Sequence, residues 1–278
     1  MAIKAIALDI DGTLTNDRKV ITPRTKEALL AAQDSGIKLV LSSGRPVQGL
    51  RAIASELQLE THDGLLVAFN GAHVVDAQTD EVLFDQPMGE EVLRALVAHM
   101  RGFDVIPWIT EGKYLYVERG ARHLITYRDA PFDIVEYESR MCDLELVEVD
   151  DLLEVCSRPQ DKLLCASEPE YLQQHWCAMY EPFLDSLSGM FTADFYFEFM
   201  APGITKGNAL AGALPKVGID ASEVIAFGDA QNDISMLEWA GMGVAMGNAT
   251  EAAKAAADMV TGSNNEDGIA SALEKILG

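Results

Sequence analysis

Apolar runs that stop abruptly at glycine and polar side chains recur along this 278-residue chain, and they constrain its fold more than any other feature. Ile3 to Leu8, interrupted only by Lys4, breaks into Asp9-Ile10-Asp11-Gly12-Thr13-Leu14. Leu39-Val40-Leu41 breaks into Ser42-Ser43-Gly44-Arg45-Pro46. Val224-Ile225-Ala226-Phe227 breaks into Gly228-Asp229-Ala230-Gln231-Asn232-Asp233. Short apolar runs bounded by turn signals read as buried strands. After the first run, Thr22-Pro23 offers an N-cap and a proline at the first helical position. Ala28, Leu29 and Ala32 add an apolar stripe, and Gly36 is placed to stop the helix. A second helix is predicted near Val47 to Leu57 and a strand at Leu65 to Phe69. Such β-α-β alternation predicts parallel strands with right-handed crossovers, an α/β doubly wound sheet. His73 to Asp76 and Val82 to Phe84 are placed for a small hairpin.

The texture changes between residues 85 and 195. A helical pattern at Val92, Leu93, Leu96, Val97 and Met100 leads into two runs, Val105 to Ile109 and Tyr114 to Val117. The compact turn Glu111-Gly112-Lys113 between them favours an antiparallel hairpin. A strand at Lys162 to Ala166, a helix from Pro169 to about Leu187 and an alternating strand at Phe195 to Phe199 follow. Trp108, Tyr114 and Tyr116 either face a ligand or, as aromatics at strand spacing more often do, fill a core. This is α+β material inserted into the doubly wound pattern, so residues 1–84 and 196–278 are expected to form the core and 85–195 a second domain. From Thr205 the pattern resumes, with Leu210, Leu214 and Val217 marking a helix that Pro215 should end or kink.

Composition excludes more than it assigns. With 44 acidic against 21 basic residues, the net charge of −23 argues against nucleic acid or an anionic membrane surface as a partner. It would repel a phosphorylated ligand too, unless a cation intervenes. No stretch approaches the ~20 apolar residues that span a bilayer, and Asp9 and Asp11 cut short any signal-peptide pattern. A soluble, cytoplasmic protein is expected. Cys142, Cys156, Cys165 and Cys177 lie in no metal-ligand spacing and read as free thiols. No feature fixes an oligomeric state.

The chemistry lies where the strands end. Asp9 and Asp11 leave the tip of one strand, where open α/β sheets place their ligands. Alternate residues share a face, so both can reach one site if the chain stays extended through Asp11. Carboxylates that close repel unless a cation or a proton separates them. Asp-Gly is equally a common turn signal, but three further segments supply what phosphoryl transfer to a carboxylate requires. They are the hydroxyls and cation of Ser42 to Arg45, Lys206 in Thr205-Lys206-Gly207, and the acids of Gly228 to Asp233. Carboxylate pair, hydroxyl, lysine and acid cluster, in that order, resemble the four motifs of the haloacid dehalogenase superfamily of phosphohydrolases. Ser43-Gly44-Arg45-Pro46, Phe69-Asn70-Gly71 and Thr205-Lys206-Gly207 narrow the resemblance to its Cof-type branch, and the insertion resembles that family's α/β (C2-type) cap.

The resemblance implies a Mg²⁺-dependent phosphatase acting on small phosphorylated metabolites through an aspartyl-phosphate. It implies that Asp9 is the nucleophile and a Mg²⁺ ligand, together with Asp229 and the backbone carbonyl of Asp11. Asp11 would be the general acid and base, a group the dehalogenases proper lack because a halide leaves without a proton. Ser43, with Ser42 as alternative, would hold a phosphoryl oxygen, and Lys206 would offset charge. Asp233 would sit in the metal's outer shell or pair with Lys206. Gly44, Arg45, Asn70 and Asn232 would contact substrate, although Asn70-Gly71 is also a hairpin signal. A phosphomutase of similar layout is the alternative. A non-catalytic metabolite-binding regulator should have lost Asp9, Asp11 or Asp229, and all are present. A phosphoaccepting signalling domain would lack the insertion.

Overall fold

The computed structural model describes residues 2–278. The chain begins with β1 (Ala5–Asp9), α1 (Pro23–Asp34), β2 (Lys38–Ser42), α2 (Gln48–Glu56) and β3 (Leu65–Ala68), then the hairpin β4 (His73–Asp76) and β5 (Val82–Asp85). Next come α3 (Glu90–Met100), β6 (Ile106–Glu111), β7 (Tyr114–Glu118), β8 (Leu124–Tyr127), β9 (Ala130–Asp133), α4 (Ile134–Met141) and β10 (Glu145–Val149). β11 (Lys162–Ala166), α5 (Pro169–Tyr180), β12 (Ser188–Ala193) and β13 (Tyr196–Met200) complete this segment. The last part holds α6 (Lys206–Ala213), β14 (Val224–Gly228), α7 (Ile234–Trp239), β15 (Met242–Ala245), α8 (Glu251–Ala256), β16 (Met259–Val260) and α9 (Gly268–Leu277). Two compact units result. One takes in the chain up to Gly44, Leu50–Asp85 and Thr205–Gly278; the other takes in Arg45–Gly49 and Gln86–Ile204.

The first unit is built on an eight-stranded sheet ordered β16-β15-β14-β1-β2-β3-β4-β5. All neighbours are parallel except β3–β4 and β4–β5. Every residue of β1 and β14 is buried, as expected of central parallel strands covered on both faces. The chain winds outward from β1 through β2 and β3, then returns to the other side of β1 as β14. β1 and β14 therefore flank the switch point where such sheets bind ligands. Pro23 opens α1 behind Thr22, whose hydroxyl bonds Asp267 rather than capping the helix. α6 ends at Ala213 and tightens into a 3₁₀ turn at Leu214–Val217, as Pro215 requires.

The second unit has a six-stranded sheet ordered β10-β7-β6-β11-β13-β12, parallel only at β10–β7, and a separate β8–β9 hairpin. Its boundary corrects the expected division at residue 195. Tyr196–Met200 pairs with both β11 and β12 and so belongs to this sheet, not the other. α5 stops at Tyr180 instead of reaching Leu187, because Pro182 cannot donate within a continuing helix. Trp108 is core, 1% exposed and edge-on to Tyr196, whereas Tyr114 and Tyr116 are half-buried. Cys142, Cys156 and Cys165 are buried free thiols and Cys177 is exposed. No helix among the described residues is long and apolar enough to cross a membrane.

Candidate active site

Asp9 is the last residue of β1, and Asp229 follows the last residue of β14, so two carboxylates meet at the carboxyl ends of adjacent strands. Lys206 enters from the first turn of α6, whose N-cap Thr205 accepts a hydrogen bond from Asn208 N. Its side chain is fully buried, and Nζ donates to Asp9 Oδ1 and to Asp233 Oδ1, both at 2.6 Å. Asp233 Oδ2 accepts from the backbone N–H groups of Asp229 and Ala230, each at 2.9 Å. Both of its oxygens are thus engaged, and one side chain fixes the lysine and the loop that carries Asp229. Asp9, Asp229 and Asp233 bring carboxylate oxygens within 4.8 Å of one another.

Two residues without an expected role complete this arrangement. Thr13 Oγ1 donates to Asp229 Oδ1 at 2.8 Å. Gly12 has a φ of +93°, and a Cβ there would lie 2.5 Å from Asp229 Oδ2, so only glycine lets the loop pass. In the sequence Gly12 signalled only a turn after Asp11, and Thr13 gave no signal beyond its position inside Asp9-to-Leu14.

The electrostatics favour a bound cation. Burial first, then the charges of Asp233 and Asp229, push Asp9 well above the usual carboxylate range, against the downward pull of Lys206. Asp229 is raised chiefly by burial, opposed by the Thr13 hydrogen bond. Burial works to lower Lys206, but Asp233 and Asp9 outweigh it and raise the ammonium above its ordinary value. Three carboxylates and one ammonium carry a formal charge of −2. Hard, acidic oxygens with that imbalance fit a divalent cation such as Mg²⁺. Asp9 and Asp229 could donate to such an ion, since both oxygens of Asp233 already accept hydrogen bonds.

A second group gathers at the ends of β2 and β3. Ser43 N donates to Val67 O and Asn70 N to Ser43 O, both at 2.9 Å, which fixes the two loops together. Asn232 Nδ2 donates to Asn70 Oδ1 at 3.0 Å, and a Cβ at Gly44 would meet Asn70 Nδ2 at 3.1 Å. Ser43, Gly44, Asn70 and Asn232 thus come together. Asn70-Gly71 also forms the connection between antiparallel β3 and β4, with Asn70 at φ +56°, so its hairpin signal holds. Ser42 is fully buried, and its Oγ has no hydrogen-bond partner. Arg45 belongs to the other unit.

Asp11 differs from expectation. β1 ends at Asp9 and the chain turns at Ile10, so Asp11 does not continue the strand. Its carboxylate is absent from the Asp9, Asp229 and Asp233 group and accepts a hydrogen bond from Lys19 Nζ at 2.7 Å.

Comparison with known proteins identifies the family. Residues 6–273 match the model of the haloacid dehalogenase-like hydrolases. The chain is 32% identical to the 5-amino-6-(5-phospho-D-ribitylamino)uracil phosphatase YbjI of Escherichia coli strain K12, covering 100% of this chain and 97% of that one. It is 29% identical to the pyridoxal phosphate phosphatase YbhA of the same strain, over 97% of each. Among solved structures, a haloacid dehalogenase-like hydrolase from Bacteroides thetaiotaomicron superposes with a TM-score of 0.89 at 32% identity, over 99% of both chains. The chain belongs to the haloacid dehalogenase-like hydrolases and, by its motifs, to their Cof-type branch.

Proposed function

We propose that the protein is a Mg²⁺-dependent phosphomonoesterase that frees phosphate from small phosphorylated metabolites by way of an aspartyl-phosphate on Asp9. The observation that carries this reading is the buried lysine shared by Asp9 and Asp233 at 2.6 Å each, with Asp229 beside them. A nucleophilic carboxylate must be held ionised and aimed in a site that also excludes water. Lys206 aims Asp9 through the 2.6 Å contact and opposes the burial that favours its neutral form, and a bound cation would complete its ionisation. Asp9 attacks phosphorus, the ester P–O bond breaks, and the leaving oxygen takes a proton from the carboxyl of Asp11. Asp11 then accepts a proton from the water that attacks the acyl phosphate, which releases phosphate and restores Asp9. Ser43 and the side chains of Asn70 and Asn232 would orient phosphoryl oxygens. When bound by Asp9, Asp229 and the backbone carbonyl of Asp11, Mg²⁺ would offset the charge that a protein of net −23 otherwise directs at its substrate.

Two relatives of nearly equal identity are named for different phosphorylated metabolites, a pyridoxal phosphate and a phosphoribitylamino uracil. Substrate choice therefore varies while the chemistry persists. Residues 86–204, which hold none of the reacting groups named above, are proposed as the family's cap and the seat of that choice. The test is phosphate release from a phosphometabolite panel by wild type and Asp9→Asn, with Mg²⁺ or EDTA. Turnover by Asp9→Asn should fall by several orders of magnitude. A variant as fast as wild type, or undiminished activity in EDTA, would overturn the proposal.

A further inference from the structure

We infer that Lys19 is a positioning residue for Asp11: it holds the acid–base carboxyl in place through a hydrogen bond from Nζ to Oδ1, which that oxygen accepts whether or not the other carries a proton. This rests on the reading of Asp11 as proton donor to the leaving oxygen. The chain turns before Asp11, so its side chain is not placed by the strand that carries Asp9. Lys19 Nζ lies 2.7 Å from Asp11 Oδ1.

An ion pair this exposed, with 52% and 37% of the two side chains accessible, is ordinarily worth little. The loop beneath Lys19 is what sets this pair apart. Asn16 N donates to Val20 O at 3.0 Å, and Lys19 N donates to Asn16 O at 2.8 Å. Asn16 Oδ1 accepts from Arg18 N at 2.9 Å and Val20 N at 3.3 Å. At the foot of the loop, Asn264, nearly buried, donates to Thr15 O at 3.0 Å, and Asp17 N donates to Asn265 Oδ1 at 3.2 Å. Lys19 itself sits at φ +59°, a region that glycine enters freely and a side-chain-bearing residue does not. The turn would relax with glycine, yet it carries the cation that meets Asp11.

The experiment uses the leaving group as its readout. An alkyl phosphate leaves poorly without a proton, whereas 4-nitrophenyl phosphate needs little help. With Mg²⁺ present, Lys19→Met should lower kcat/KM about tenfold for the alkyl ester and less than about twofold for the aryl ester, part of what general acid catalysis contributes. Lys19→Arg should restore most of the loss. Lys19→Gly, which relaxes the backbone, should show the same selective loss with no fall in thermal midpoint. Because Lys19 acts through Asp11, the double variant Asp11→Asn with Lys19→Met should be no slower than Asp11→Asn alone. Equal losses on both esters, or additive losses in the double variant, would overturn the inference. If Asp11→Asn is itself unselective between the esters, the acid–base reading of Asp11 falls and this inference with it. If Asp11→Asn is selective and the Lys19 variants are not, the role of Lys19 alone is refuted.

Discussion

Gly12→Ala separates two penalties that a methyl group at this position imposes together. The first is backbone strain at φ +93°, about 1–2 kcal/mol for a side-chain-bearing residue. The second is steric. The new Cβ would stand 2.5 Å from Asp229 Oδ2, where ordinary contact begins at 3.4 Å, so the carboxylate must retreat by about 0.9 Å. Misplacing a reacting group by ~1 Å costs on the order of a hundredfold in rate. Gly36→Ala is the control, because Gly36 has φ +87° and nothing within 4 Å of its virtual Cβ. Both variants should lose about 1–2 kcal/mol in urea denaturation. Only Gly12→Ala should lose turnover, by about a hundredfold, with 4-nitrophenyl phosphate and Mg²⁺. Wild-type turnover in Gly12→Ala, or a similar loss in Gly36→Ala, would refute the claim that Gly12 exists to admit Asp229.

Two more expectations concern charge and hydroxyls. Asp9 and Asp229 are raised by burial above their unfolded values, so they bind protons more tightly when folded. Their contribution to stability is full below the ordinary carboxylate range and lost as pH rises through the folded values. Metal-free protein should therefore weaken as pH rises above the ordinary carboxylate range, Mg²⁺ should restore more at higher pH, and Asp9→Asn should flatten the slope. Urea midpoints measured across pH with EDTA or Mg²⁺ decide this, and an unchanged slope in Asp9→Asn would contradict it. Ser42→Ala deletes a buried hydroxyl without a partner, so it should be neutral or stabilising by up to ~1 kcal/mol and fully active. Ser43→Ala should lower kcat by about a hundredfold, as loss of an oxyanion donor does. The reverse result would assign the phosphoryl contact to Ser42.

The core of the fold was legible because its strands are apolar on both faces and end in turn chemistry. β1, β2, β3 and β14 all announce themselves in this way, and Pro23, Gly36 and Pro215 mark the helix limits. The stretch from 118 to 157 was not legible. β8 and β9 are joined by Arg128 and Asp129 at φ +51° and +60°, a turn conformation that Asn-Gly advertises and Arg-Asp conceals. The division at residue 195 failed because Phe195-Tyr196-Phe197-Glu198-Phe199 identifies a strand but not the sheet it joins. In the site, the residue types and their order along the chain revealed Asp9, Lys206, Asp229 and Asp233. Thr13 and Lys19 stayed hidden, since a threonine after glycine and a lysine in a polar loop look ordinary until the chain turns at Ile10.

The place of β1 at the middle of the sheet sets an order of events for a chain emerging from the ribosome. One edge of β1 can be filled by β2 within some forty residues, but the other waits for Val224–Gly228. Asp9 and Lys206 are 197 residues apart, so the site cannot exist before the insertion has been made. At ~5–20 residues per second, the interval between Asp9 and Val224 lasts roughly ten to forty seconds. Throughout it, the strand Ala5–Asp9, wholly buried in the finished protein, presents an unpaired apolar edge. The second unit lies within that interval and forms its own sheet from residues 106–200, so it can fold first. A nascent chain of this design is most exposed to aggregation while its most buried strand lacks a neighbour, and release from that hazard coincides with assembly of the active site.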